Sequence, residues 1–461
     1  MGVAFLKDSM FQQFASDAPV AVMAQMALAH LLDADSLDEV FAEHAEVQYE
    51  RTLMFSTLAQ LMSSVVMRKN PSVNAAYRKM KDRLGVSIQA TYGKLERVEP
   101  GLSQALVRHS YQQVVEVRQT LGGIPRHDIA GYESQYLDGN HLSGTEHRLK
   151  ETRDITAAPL PGKSLVVMSP RLGAIADYFP IEDGHAQERS VLDDVLKTVR
   201  RDTLWVADRN FCTLKFMYGI FNRNAVFIIR HHNKLIGNGS GRLKKIGKTD
   251  TGIVYEQSFH LPAYDGQKMT VRRIVVRLNE PTRDGDTEIA ILSNIPKGRA
   301  DAIGIAEVYR LRWKIETVFQ HLTETLSCEI HALCYPRAAL FCFANALVAY
   351  NALAIVKAAI GSAQGANAVS SLSHYYLALE ISETTRGMLI ALPPARWQCF
   401  TDMPAETFAS SLTTVAAKMV PANYRKSVRG PKKTKPKKKH NKKSVHVSTK
   451  KILDKRIKSP C

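Results

Sequence analysis

The sequence predicts an α/β core that carries a β-rich insertion and is flanked by helical regions. Three observations predict it. Between residues 123 and 230, short apolar runs of strand length alternate with turns and two helix-like segments. Residues 301–326 (DAIGIAEVYRLRWKIETVFQHLTETL) repeat apolar residues at steps of three and four, as one long amphipathic helix does. Residues 1 to about 120 and 336 to about 417 show helical periodicity alone.

The bulk composition limits the classes open to the chain. Its 461 residues suggest two or three domains, and 45% hydrophobic content is enough for sizeable cores. The formal charge is +18, but residues 421–461 hold 16 Lys or Arg against one acid, which leaves +3 for the other 420 residues. A near-neutral folded part argues against a basic structural protein. Six cysteines are too few for a disulfide scaffold, and Cys328, Cys334 and Cys342 lack zinc-ligand spacing. A reducing cytoplasm is the expected compartment. The N-terminus has no signal-peptide layout. Residues 338–360 are long enough for a membrane span, but Asn345, Asn351 and Lys357 would each be costly in lipid, so a buried core helix and no membrane association are expected.

In chain order, residues 1–122 read as a helical N-terminal domain, broken at Pro71 and Pro100. Its basic residues Arg68, Lys69, Arg78, Lys79, Lys81, Arg83, Lys94 and Arg97 form either an ordinary polar face or a surface for DNA phosphates. Gly122, Gly123 and Pro125 mark a boundary, and the core extends over 123–335. Strand-like runs at 135–137, 164–168, 174–181, 203–207 and 225–229 are joined by helical segments at 186–199 and 211–221. Residues 231–288 are rich in Gly, Lys and Arg with short alternating runs, and read as the insertion. Residues 288–294 return to a strand and lead into the 301–326 helix. Helices resume over 336–420, and 421–461 reads as a disordered basic tail.

Three acids stand out by position. Asp138 and Asp208 each follow a strand-like run, and Glu316 lies in the long helix. Either aspartate alone is most simply a turn former. Together, two strand-end aspartates and a helical glutamate can hold divalent cations through oxygen ligands, and Mg²⁺ suits such a set. Two ions about 4 Å apart would activate an attacking oxygen and stabilise the leaving one. Tyr309, Arg312 and Glu316 step by three and four along one helix face. Arg209, directly after Asp208, is either a phosphate contact or an exposed charge.

These residues also resemble a known family. Tyr309-x2-Arg312-x3-Glu316 is similar to the Tyr-Arg-Glu-Lys signature of insertion-sequence 4 family DDE transposases, encoded by bacterial insertion elements. LDGN around Asp138 and VADRNF around Asp208 resemble the contexts of that family's two aspartates, with gaps of 70 and 108 residues between the acids. The runs FASDAPVAVMAQMALAHLL, YERTLMFSTLAQLM and YPRAALFCFANALVAYNALA extend the resemblance over about 10–420.

The resemblance implies an RNase H-like core with Asp138, Asp208 and Glu316 as the catalytic metal ligands, Mg²⁺ as cofactor and Mn²⁺ as its substitute. It implies DNA cleavage at transposon ends followed by attack of the freed 3′-OH on target DNA. Arg312 would contact phosphate near the scissile site and Tyr309 would position the DNA end. The implied partners are double-stranded DNA, both inverted repeats and target, and a second copy in a homodimeric synaptic complex, at the nucleoid. Two positions depart from the pattern. Thr323 stands where the signature has Lys, and the insertion has no Trp, since the three Trp residues are Trp205, Trp313 and Trp397. Tyr255, Phe259 or Tyr264 would then be left to stack a base, or would belong to the insertion's own core. Two other readings stay open: a transposase-derived protein that binds DNA without cutting, and an RNase H-like nuclease without strand transfer.

Overall fold

A computed structural model describes residues 5–48, 52–282, 285–401, 403–427 and 446–458. Its centre is a nine-stranded sheet in the order β4-β3-β1-β5-β6-β10-β9-β8-β7. Strands β1 (Glu133–His141), β3 (Lys163–Ser169) and β4 (Ala174–Ile181) form an antiparallel unit. β5 (Thr203–Ala207) runs parallel to β1, and β6 (Val226–Arg230) parallel to β5. Three antiparallel strands continued by two parallel ones make this an RNase H-like core.

The insertion supplies β7 (Asn238–Thr249), β8 (Gly252–His260) and β9 (Thr270–Leu278). These strands do not form a sheet of their own. β10 (Glu288–Ser293) pairs antiparallel with both β6 and β9, so the insertion prolongs the central sheet.

Both faces of the central strands are buried, which is why their sequences read as apolar runs. Alternation then assigns each residue to a side. Tyr136, Val166, Leu204, Val206 and Ile228 join a large core shared with most helices. Leu137, Leu165, Trp205, Ala207 and Phe227 join a smaller core against the Leu192–Thr198 and Leu214–Phe221 helices. By the same parity, Asp138 and Asp208 fall on the side of the large core.

The helical parts before and after the sheet pack on one another. Helix Pro336–Gln364 packs against the Pro100–Leu121, Pro19–Leu31, Phe55–Val66 and Ala405–Ala416 helices. The reason is its composition: being apolar all round, it needs cover on every side. It is long and apolar enough to cross a membrane, yet its most apolar window is entirely buried in the fold. Its asparagines make it a core helix. Asn351 donates to Ser110 Oγ at 2.8 Å and the Ile175 carbonyl at 3.0 Å, and accepts from the Ile175 amide at 2.7 Å. Asn345 accepts from Ser63 at 3.0 Å.

Two expectations are corrected. The 301–326 segment is two helices, Ala302–Leu311 and Trp313–Thr325, divided at Arg312. Asp301 caps the first, accepting from the Gly304 amide at 2.7 Å. At the division, the Arg312 amide bonds the Tyr309 carbonyl and the Ile315 amide bonds the Arg312 carbonyl, both at 3.0 Å. These three-residue turns rotate the chain further per residue than an α-helix does.

The second correction concerns the tail. Residues 421–424 form a short helical turn, and His446–Ser448 form β11, which pairs in parallel with β2 (Ala158–Leu160). The Thr449–Lys458 helix follows, with Lys451 paired to Asp183 at 3.1 Å and Arg456 to Glu151. Basic residues that composition marks as a solvated run here meet acids some 270–305 positions earlier, a pairing no local pattern reveals. The rest of the basic tail, 428–445, lies outside the described residues.

Candidate functional site

The sheet brings the two aspartates together. β1 and β5 are parallel neighbours in register Leu137↔Ala207, so Asp138 and Asp208 come next on adjacent strands. Asp208 lies just past the end of β5. Asp138 lies within β1, which continues to His141 because it stays paired with β3, and is not the strand-end residue expected. Neighbouring strands lie about 4.8 Å apart. The broken helix crosses this spot on the large-core side, and its stripe of Ile305, Val308, Ile315, Val318 and Leu322 is buried. Fixing that stripe turns Tyr309, Arg312 and Glu316 toward the acids.

Arg312 is the centre of the arrangement. It is 5% exposed. Its Nη1 donates to Asp138 Oδ2 at 2.8 Å and its Nη2 to Glu316 Oε1 at 2.7 Å. Tyr309 is also buried and its hydroxyl donates to Asp208 Oδ1 at 3.4 Å, a long bond. One turn of helix therefore holds all three predicted acids. Arg312 and Tyr309 face them and not solvent, so contact with DNA would require both to change partners. Arg209 is exposed beside Asp208. Thr323 is exposed and donates back to the Phe319 and Gln320 carbonyls, at 3.2 and 3.0 Å.

The electrostatics follow from burial. Asp138 is pushed up to about 6, because burial, together with the charges of Glu316 and Asp208, outweighs the attraction of Arg312 and the Gly139 amide. Arg312 is held above the ordinary guanidinium range: burial opposes its charge, but Asp138, Tyr309, Asp208 and Glu316 outweigh that. Burial raises the Tyr309 hydroxyl as well.

A pH dependence follows. Between about pH 3.8 and 6 the folded protein holds a proton on Asp138 that the unfolded chain releases. This contribution is complete below pH 3.8 and is lost as pH rises through about 6, a difference of about 3 kcal/mol. Thermal unfolding in EDTA is expected to show stability falling over that window, and Asp138→Asn should flatten the slope. An unchanged slope in the variant would remove Asp138 as its source.

The donor types fit a hard divalent cation, being three carboxylates on neighbouring elements. Their present arrangement does not seat one. Among the described residues no three acidic, histidine or cysteine side chains are grouped to hold a metal ion. The Arg312 guanidinium already neutralises two of the acids, and Asp138 and Glu316 would have to exchange it for a metal.

Sequence reasoning missed three neighbours. Glu188 packs on Gly139, where an added Cβ would lie 2.3 Å from its carboxylate, so only glycine permits the approach. Glu188 also accepts from Asn210 Nδ2 at 2.5 Å and lies 3.7 Å from His141 Nε2. It thus ties the end of β1 to the turn after Asp208. Trp313 is 58% exposed, with the Arg312 guanidinium 5.6 Å from its ring. An exposed indole directly after Arg312 was legible as sequence, but its exposure was not. The aromatics of the insertion differ in use: Phe259 is core, Tyr255 lies under Arg277, and Tyr264 packs on Tyr218.

Comparison with known proteins adds the following. The family model described as Transposase DDE domain matches residues 163–352. That span takes in Asp208, Tyr309, Arg312 and Glu316 and begins after Asp138. No curated protein matches the chain. Among solved structures it is similar to a piggyBac transposase, seen by cryo-EM in a synaptic complex with hairpin DNA, at 11% identity and a TM-score of 0.39 over 85% of this chain and 84% of that one. The chain therefore carries, on an RNase H-like sheet, a segment similar to a transposase DDE domain.

Proposed function

We propose that this protein is a DDE transposase of the insertion-sequence 4 type, which cleaves DNA at the ends of its element and joins them to target DNA by a cut-and-paste route. The observation that carries the reading is the convergence of Asp138 and Glu316 on Arg312, with Asp208 beside them on Tyr309. The family match over 163–352 supports it.

Asp138, Asp208 and Glu316 would hold Mg²⁺, with Mn²⁺ as substitute. In a two-metal mechanism such ions would supply Lewis-acid activation and neutralise charge on the phosphoryl oxygens. The protein's own groups do the rest. Glu188 and Asn210 keep the two strand ends at fixed spacing. Arg312, once exchanged from the acids, offers a planar five-donor fork suited to a phosphate. Arg209 and the exposed Arg78, Lys79, Lys81 and Arg83 of the Val73–Leu84 helix offer sequence-independent phosphate contacts. Trp313 is placed to stack a base beside the acids. Partners on this reading are the element's inverted repeats, target DNA and a second copy of the chain, in the cytoplasm at the nucleoid.

The test is a cleavage assay on DNA carrying the element's terminal repeats, with Mg²⁺ or Mn²⁺. Nicks at the ends and products joined to target DNA are expected. Nicks without joined products would leave a nuclease. One observation favours a second reading, a protein that holds DNA without cutting: Arg312 occupies two of the three acids. Specific end binding with no cleavage in either metal would establish that reading instead.

A further inference from the structure

The helix that carries Glu316 has a second polar face, away from the acids, that the proposed chemistry does not use. His321 lies five residues beyond Glu316, about 7.5 Å along the helix axis. Its ring stacks on His374 of the His374–Ala391 helix, with centroids 3.6 Å apart and planes 14° from parallel. Lys357, from the buried Pro336–Gln364 helix, puts its Nζ 2.5 Å from His374 Nε2 and 3.2 Å from Nδ1. The same amine lies 5.7 Å from the Tyr350 ring. Lys426 closes the group. It is exposed, donates to the Ser370 carbonyl at 3.1 Å, and its charge acts on His321, Lys357 and His374.

Four basic side chains from four stretches of chain thus share one spot. Among the described residues none of the three inner groups has a carboxylate in its hydrogen bonds or ion pairs; the charge of the nearby Glu324 acts on His321, but its carboxylate accepts from Gln320. His321 Nδ1 is buried with no partner among the described residues. Ordinary folding does not favour this, because buried cations are normally paired and buried donors normally bonded. The electrostatic response agrees. Burial and mutual repulsion push His321 down to about 4 and Lys357 down to about 7, and lower His374 further. Lys357 and Lys426 carry no carboxylate partner, and the buried His321 Nδ1 has no hydrogen-bond partner, among the described residues.

We propose that His321, Lys357, His374 and Lys426 form a phosphate-binding site on the far face of the Glu316 helix. Lys357 and Lys426 would donate as ammonium groups, and His321 would donate from Nδ1. The inference rests in part on the proposed function, which makes the natural occupant a phosphodiester of the bound DNA strand. Free phosphate shares the chemistry, and the experiment separates the two.

The full-length protein is melted in EDTA with inorganic phosphate or with chloride at equal ionic strength. Phosphate is expected to raise the melting temperature of the wild type. Lys357→Met and Lys426→Ala should each weaken phosphate binding about tenfold, the loss of one charge-assisted bond. Lys426 is exposed, so its variant stays informative if Lys357→Met fails to fold. No stabilisation by phosphate, or equal stabilisation in wild type and Lys426→Ala, would overturn the site. A second arm measures salt-dependent DNA binding without metal. A log–log slope lower by about 1 in Lys426→Ala assigns the site to a DNA phosphodiester. An unchanged slope, with phosphate stabilisation seen in the wild type and weakened in Lys426→Ala, assigns it to free phosphate and overturns the DNA occupant. Neither arm requires cleavage, so an inactive enzyme would refute the proposed function without touching this result.

Discussion

Asp208→Asn is expected to abolish metal-dependent cleavage, by about 10³-fold or more, while fold and DNA binding persist. A loss of that size corresponds to about 4 kcal/mol of barrier. It is the scale expected when a ligand to a Lewis-acidic ion is lost. Among the three acids, Asp208 gives the cleanest test. Among the described residues its side chain takes one long bond, from Tyr309 at 3.4 Å, and the amide oxygen of Asn can still accept it. Asp138 and Glu316 are different, since each is a partner of the buried Arg312 and its loss disturbs the fold as well as the chemistry. Circular dichroism and end-binding assays beside the cleavage assay make the distinction. Cleavage at the wild-type rate in Asp208→Asn would refute its role as a ligand.

Arg312→Ala should have the second largest effect, and one whose size depends on metal. Without metal the substitution strands Asp138 and Glu316 as a like-charged, partly buried pair, and Asp138 is already raised by burial. Breaking a buried ion pair from one side costs about 3–5 kcal/mol, and because the Glu316 end is partly exposed the lower figure applies. Adding Mg²⁺ or Mn²⁺ should restore much of that loss and raise the melting temperature of the variant more than that of the wild type. The reason is that metal and guanidinium compete for the same oxygens. Equal metal stabilisation of both proteins would mean that Arg312 and the ion do not share ligands. Arg312→Lys is expected to be intermediate in stability, because one ammonium cannot span both carboxylates as the fork does.

Much of this site was legible before any tertiary structure. Asp138 and Asp208 were marked by the ends of apolar runs, and Glu316 by a helical step from Arg312. Tyr309 and Arg312 share its face because helical periodicity leaves no other arrangement. Those inferences rest on local rules: strand parity, helix period, and the turn residues that stop a strand. The insertion was visible for the same reason, as alternating runs between two core strands.

Other features had no local signal. Glu188 reaches Gly139 and Asn210 only because the turn before the Leu192–Thr198 helix is folded over the ends of β1 and β5. The break at Arg312 leaves the apolar stripe intact, so periodicity reads straight through it. The docking of β11 on β2 joins segments nearly 290 residues apart. The stack of His321 on His374 beside Lys357 likewise joins three helices whose polar residues look unremarked in sequence.

By itself, the sequence determined an α/β core, three candidate acids and the helix face that carries the third, because side-chain period and strand termination are properties of neighbouring residues; the RNase H-like kind of the core came from the family resemblance. Only the tertiary structure decided what those acids touch. Arg312 became the internal cation of the site, and not a surface contact, through the register of β1 with β5 and the seat of the broken helix upon them. Both are set by packing between distant segments.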